Sequence, residues 1–172
     1  MRTPFAVMSL VPEQIGAAQE AVLRARVVAR AIDWVGTPYR QWGNTLQHAV
    51  DCAMLLAEVY RDAGLIAPVD PRPYPPEWHL HRSDERYLAW LQPVSIEVAT
   101  PQAGDIALFQ FGRCFSHAGI MINADELVHA YAPLGMCTVS RLTDPDIGLI
   151  APGRARPRRF FDIFAPHRAG AV

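Results

Sequence analysis

Proline and glycine divide this chain into two stretches of different hydrophobic periodicity, and no other feature constrains the fold as much. Before Pro101 apolar residues recur at helical spacing, and after it they fall into short alternating or continuous runs. Glu13 to Val35 has no internal proline and repeats Val22, Ala25, Ala29 and Ile32, which predicts a helix with that apolar stripe, stopped at Gly36. Thr37 to Val50, with Pro38, Gly43 and Asn44, has no period and reads as a loop. Asp51 then fits the cap of a second helix, Cys52 to Ala63, with Leu55, Leu56 and Val59 as its buried stripe and Gly64 as its end. The prolines from Pro68 to Pro76 enforce an extended path, after which Ser83 fits the cap of a short helix, Asp84 to Leu91.

Beyond Pro101, five runs read as antiparallel strands: Asp105 to Phe111, His117 to Asn123, Glu126 to Tyr131, Cys137 to Leu142, and Phe160 to Phe164. Helices first and sheet second is an α+β layout. With 172 residues, 51% of them hydrophobic, the chain suits a single domain over 1–172 with a core over about 12–165. A net charge of −1 excludes the broad basic field that binds nucleic acid, so the run Arg154, Arg156, Arg158, Arg159 reads as a solvated loop. The apolar stretch Phe5 to Val11 is too short and too interrupted for a secretion signal, and no run reaches the roughly 20 apolar residues of a membrane span. The expectation is synthesis in the cytoplasm and no membrane partner.

Three cysteines cannot all pair, so at least one thiol is free. Only Cys52 falls on the first turn of a helix, where unsatisfied N–H groups favour a thiolate and where its own N–H could meet an oxyanion. Cys137 reads as strand core, and Cys114 as a buried thiol in a turn. His117 and His129 lie on consecutive strands joined around Ala124 and Asp125, and matching parity puts both rings on one face. Gly119, next on that face, is expected to leave room for substrate. These types suit a nucleophile, Cys52, a general base, His117, and a polar residue that orients it, His129. Cys and His also ligate zinc, but the chain has neither CxxC nor HExxH, so no metal or other cofactor is expected. His79 and His81 read as exposed loop residues.

Four segments together resemble the NlpC-like cell-wall cysteine peptidases: GTPYRQWG at Gly36 to Gly43, VDCAMLL at Val50 to Leu56, Gly104-Asp105 opening a strand, and SHAGI followed by VHAY. The resemblance spans about Ala29 to Tyr131 and implies a reduced papain-like fold, with N-terminal helices on a central antiparallel sheet. It implies Cys52 as nucleophile, His117 as base, His129 as orienting residue, and Tyr39 near the nucleophile as an oxyanion or substrate ligand. Asp51 is expected to cap the helix or bind substrate. Ala53 and Met54 depart from the family's usual Ser-Gly and put the details of the substrate in question. The implied reaction is hydrolysis of an amide in the peptide stem of peptidoglycan, at the cell wall. Tyr74 to Leu88 resembles the branch found in phage and prophage tails, which adds tail proteins as partners. The alternatives are a non-catalytic tail component and a related thiol amidase or acyltransferase.

Overall fold

A computed structural model of the chain describes residues 14–74 and 85–168. Phe5 to Val11, His79, His81 and the expected cap Ser83 lie outside the described residues. The first helix, α1 (Ala17–Asp33), is followed by a small ladder of β1 (Asn44–Thr45) and β2 (Ala49–Val50). Then come α2 (Cys52–Asp62) and α3 (Arg86–Leu91). The remaining elements are β3 (Ile96–Val98), β4 (Ile106–Phe111), β5 (Cys114–Met121), β6 (Glu126–Tyr131), β7 (Met136–Arg141), α4 (Pro145–Gly148), β8 (Leu149–Ala151), β9 (Arg154–Ala155) and β10 (Arg158–Asp162). Six of these strands form one antiparallel sheet in the order β3-β10-β4-β5-β6-β7. The architecture is α+β, as expected, with the helices packed against that sheet.

Helix α2 is the centre of the packing. Residues 53–60 are all buried, so an element that reads as amphipathic in sequence is enclosed on every side. Its Leu55, Leu56 and Val59 meet Ile106, Leu108, Ala118 and Ile120 of the sheet in one hydrophobic cluster. Burial of such side chains contributes roughly 1.5–3 kcal/mol each. The β5–β6 turn is closed by Asn123, whose side-chain oxygen accepts from the N–H groups of Asp125 and Glu126 at 2.9 and 2.8 Å.

Helix α1 corrects two readings. It starts at Ala17 behind Gly16, and its buried face is Arg24, Val27 and Ala31 rather than the expected stripe, for Val22 and Ile32 are 60% and 48% exposed. The reason is a buried ion network, which hydropathy registers as polar. The Arg24 guanidinium donates to Asp105 Oδ1 at 2.8 Å, to the Ala103 carbonyl at 2.8 Å, to Asp162 Oδ1 at 3.1 Å and to Glu20 Oε1 at 2.9 Å. Arg168 closes the network by donating to Glu20 and Asp162. One cation thus ties α1 to the start of β4 and the end of β10. Gly104 precedes Asp105 with φ of +89°, and an added Cβ would lie 3.1 Å from the Phe164 ring, so the Gly-Asp pair is needed for both conformation and space.

Other elements differ from expectation locally. Thr37 to Val50 contains the β1–β2 ladder. Cys114 is a fully buried strand residue at the start of β5 rather than a turn residue, whereas Cys137 is buried in β7 as expected. The arginine run is not a solvated loop: it includes β9 and the start of β10. Arg156 donates to the carbonyls of Ile147, Gln110 and Leu149 and lies 3.7 Å over the Phe111 ring, while Arg159 pairs with Glu97. Backbone carbonyls at strand ends need donors, and the guanidinium fork supplies several at once. Among the described residues, no helix is long and apolar enough to cross a membrane.

Replacing Arg24 with Leu leaves Asp105 buried without the Arg24 cation and leaves Asp162 with Arg168 alone. The expected cost is about 3–5 kcal/mol in urea unfolding. Arg30→Ala, which removes an exposed pair with Asp33, should cost about 0.5 kcal/mol or less.

Candidate active site

Cys52 is the first residue of α2, and its place follows from the cap before it. Asp51 has extended backbone and accepts the Met54 N–H through Oδ1 at 3.0 Å. Its other oxygen accepts the Trp42 N–H at 2.6 Å and the Tyr74 hydroxyl at 2.5 Å. Although Asp51 borders the cleft, both oxygens are engaged within the protein, and the residue is only 2% exposed. Burial raises its carboxyl above the ordinary range, against the lowering effect of these donors. The expected capping role is therefore visible in the geometry.

The cleft has a volume of about 300 Å³ and lies between the start of α2 and the sheet. Cys52 and His117 both line it, with Tyr39, Tyr74, Tyr87, Trp90, Phe111 and Tyr131 forming most of its aromatic wall. Tyr39 is held in place by backbone hydrogen bonds on two sides: its N–H donates to the Gly135 carbonyl at 2.8 Å, and the preceding Pro38 carbonyl accepts from Val50 at 3.0 Å. The Tyr39 hydroxyl is kept protonated by burial and by the nearby Cys52 and Asp51.

Strand β5 presents His117 through an irregularity. Phe109 pairs with His117 but Gln110 pairs with Phe115, so Ser116 is an extra residue, and both Ser116 and His117 border the cleft. His117 Nε2 lies 2.8 Å from His129 Nδ1, and His129 Nε2 lies 2.9 Å from Ser140 Oγ. The two rings meet edge to face at 5.1 Å between centroids. His129 is fully buried, and burial lowers its pKa to about 4, so at neutral pH it is uncharged.

Gly119 has a different use from the one expected. A Cβ there would sit 2.9 Å from the Cβ of His129 and 2.8 Å from the Val128 carbonyl oxygen. The Leu127 Cδ1 would be nearer still, at 2.5 Å, so the space a side chain would occupy is taken by β6, and Gly119 makes room for that strand rather than for substrate.

The thiol environment also departs from the simple helix-terminus expectation. Burial pushes the Cys52 thiol up to about 12 and the Asp51 carboxylate adds to the rise, while hydrogen bonds from the Tyr87 hydroxyl and the Ala118 N–H act in the opposite direction. The Tyr87 hydroxyl donates to Sγ at 2.9 Å. A thiol so placed needs a base to become nucleophilic. Sequence reading brings Cys52, His117, His129, Tyr39 and Asp51 to this region, and the structure gathers all five there. Sequence reading does not reveal Tyr87 or Ser140, which the structure adds. Ser140 has a weak signal, as a polar residue alternating with Thr138 on the strand beside His129. Tyr87 has none, because its approach to sulfur depends on how α3 docks. Among the described residues, no group of three or more His, Cys, Asp or Glu side chains could hold a metal ion.

Murein DD-endopeptidase MepS/murein LD-carboxypeptidase of Escherichia coli (strain K12) is 24% identical over 123 residues, which cover 72% of this chain and 57% of that protein. The chain thus spans little more than half the length of the curated relatives it matches. Among solved structures, the peptidoglycan hydrolase RipB from Mycobacterium tuberculosis aligns with a TM-score of 0.60 at 16% identity, over 87% of this chain and 68% of that one. The NlpC/p60 domain of the peptidoglycan hydrolase SagA aligns with a TM-score of 0.50 at 20% identity, over 79% of this chain and 96% of that domain. These likenesses establish the fold. Residues 36–145, well over half of the chain, match the NlpC/P60 family model, and the chain belongs to the NlpC/P60 family.

Proposed function

We propose that this chain is a cysteine endopeptidase that hydrolyses an amide bond in the peptide stem of peptidoglycan, acting at the cell wall. The observation that carries the proposal is that Cys52 and His117 line one cleft while His117 Nε2 is hydrogen-bonded to His129. That bond commits Nε2, which makes Nδ1 of His117 the nitrogen that exchanges a proton with sulfur. The thiol proton passes to His117, Sγ attacks the amide carbon, and the C–N bond breaks as the imidazolium returns the proton to the departing amine. Water then attacks the thioester with His117 as base, releasing the carboxylic acid and restoring the thiol. The Cys52 N–H and the Tyr39 hydroxyl are the donors assigned to the oxyanion.

His129 serves this cycle as a neutral ring. With Nδ1 as acceptor and Nε2–H donating to Ser140, it can receive the Nε2–H of a charged His117 and so stabilise the imidazolium. Asp51 acts as a positioning residue, since its oxygens hold α2, Trp42 and Tyr74 together. A finer assignment to a phage or prophage tail rests on the sequence of Tyr74 to Leu88. It requires the protein to co-purify with tail particles, and its absence from purified particles would discard it.

Wild type and Cys52→Ala incubated with defined muropeptides, with products identified by mass, test the main proposal. Wild type should convert a stem peptide into two fragments and Cys52→Ala should leave it intact. Cleavage by the variant, or an inert wild type, would refute the proposal.

Acid stability gives a separate test of neutral His129. Its folded pKa of about 4 lies below the ordinary 6.5, so the unfolded chain binds more protons between those values. Stability from this group is complete above pH 6.5 and falls as pH drops toward 4, by at most about 3 kcal/mol. Denaturant unfolding from pH 7 to pH 4.5 should show the decline, and His129→Asn should flatten it.

A further inference from the structure

We propose that Tyr87 is a further catalytic residue, whose hydroxyl holds the Cys52 sulfur by a donated hydrogen bond and stabilises it as thiolate during attack and release. The inference rests on the peptidase reading of Cys52.

Tyr87 lies on the first turn of α3, is 3% exposed, and donates to Sγ at 2.9 Å. Its ring is gripped by Trp90 in an edge-to-face contact at 5.3 Å. The start of α3 is anchored to the strand that carries His117, because Glu85 Oε2 accepts the Phe115 N–H at 3.0 Å. The donor, the sulfur and the base-bearing strand are thus held in one frame. Tyr87 itself stays protonated, because burial and the neighbouring sulfur raise its pKa well above the ordinary phenol value. It is therefore a constant donor across the neutral range.

The chemistry needs such a donor. The carboxylate of Asp51 opposes negative charge on Cys52, and the hydrogen bonds that favour it come from Tyr87 and the backbone of Ala118 and Cys52. A hydrogen bond to an ionised group is stronger than one to its neutral form, so the contact strengthens as the thiol loses its proton. It also weakens the sulfur as a nucleophile somewhat, yet makes it a better leaving group when the thioester is hydrolysed. No proton leaves Tyr87 at any step: the thiol proton goes to His117, and the phenol O–H remains intact.

The test reads sulfur directly and needs no wall substrate. The rate of Cys52 alkylation by iodoacetamide is followed against pH, with the modified peptide identified by mass so that Cys114 and Cys137 do not contribute. Tyr87→Phe should shift the alkylation profile upward by about one pH unit, a loss of about tenfold in rate at pH 7.5, with Tm unchanged. An unshifted profile in a folded Tyr87→Phe overturns the proposal. Should that variant fail to fold, 3-fluorotyrosine at position 87, a more acidic phenol of nearly the same shape, should shift the profile downward, and no shift would overturn the proposal equally. Failure of the peptidase reading is distinguishable: the alkylation result could hold while muropeptides remain uncut by wild type.

Discussion

The Asp51 carboxylate is the constraint on which the candidate site depends. Three pieces of chain converge on it: the Trp42 backbone, the first turn of α2 and the Tyr74 side chain. Trp42 has φ of +64°, a left-handed conformation that costs a bulky residue about 1–3 kcal/mol. The short bond from its N–H to Asp51 helps offset that cost. The carboxylate's position in turn sets where α2 begins, and so where Cys52 meets the cleft. A buried carboxylate without these donors would be too costly to keep ionised, so cap, loop and cleft wall stand or fall together.

The electrostatics of the cleft are a balance rather than a single effect. A helix N-terminus favours negative sulfur, but burial and a neighbouring carboxylate oppose it, and burial is the larger influence at Cys52. Burial thus disfavours the thiolate, and the proposed attack draws on His117 as its base. The histidine pair suits that demand because burial has removed the charge from His129, leaving it able to accept from His117. The Ser140 hydroxyl then holds the far side of the His129 ring.

Much of the fold was legible because backbone hydrogen bonding imposes regular periods. Glu126 to Tyr131 is a strand over the whole expected span, and α2 starts at Cys52 behind Asp51 as its cap implies. The parity argument that placed His117 and His129 on one face holds, and the rings touch. The argument failed where polarity was buried. Arg24 sits inside α1 because carboxylates from β4 and β10 wait for it, so a reading based on apolar spacing selects the wrong face. The arginines near the end of the chain were misread for the same reason: their donors serve carbonyls and ring faces that no local window contains. Gly119 was noticed but its purpose was not, because only the packing of β6 on β5 shows that Leu127, Val128 and His129 fill the space.

Sequence alone determined that α1 to α3 precede the five strands β4, β5, β6, β7 and β10, though not the short strands β1, β2, β3, β8 and β9 or helix α4; it also determined the helix-opening position of Cys52 and the matching parity of the two histidines, for these follow from local backbone geometry and its 3.6- and 2-residue periods. Tertiary structure alone decided which helix face is buried, how Ser116 bulges beside His117, and which hydroxyls reach sulfur and imidazole. These are contacts between segments distant along the chain, and their energies depend on packing and desolvation that no local pattern encodes.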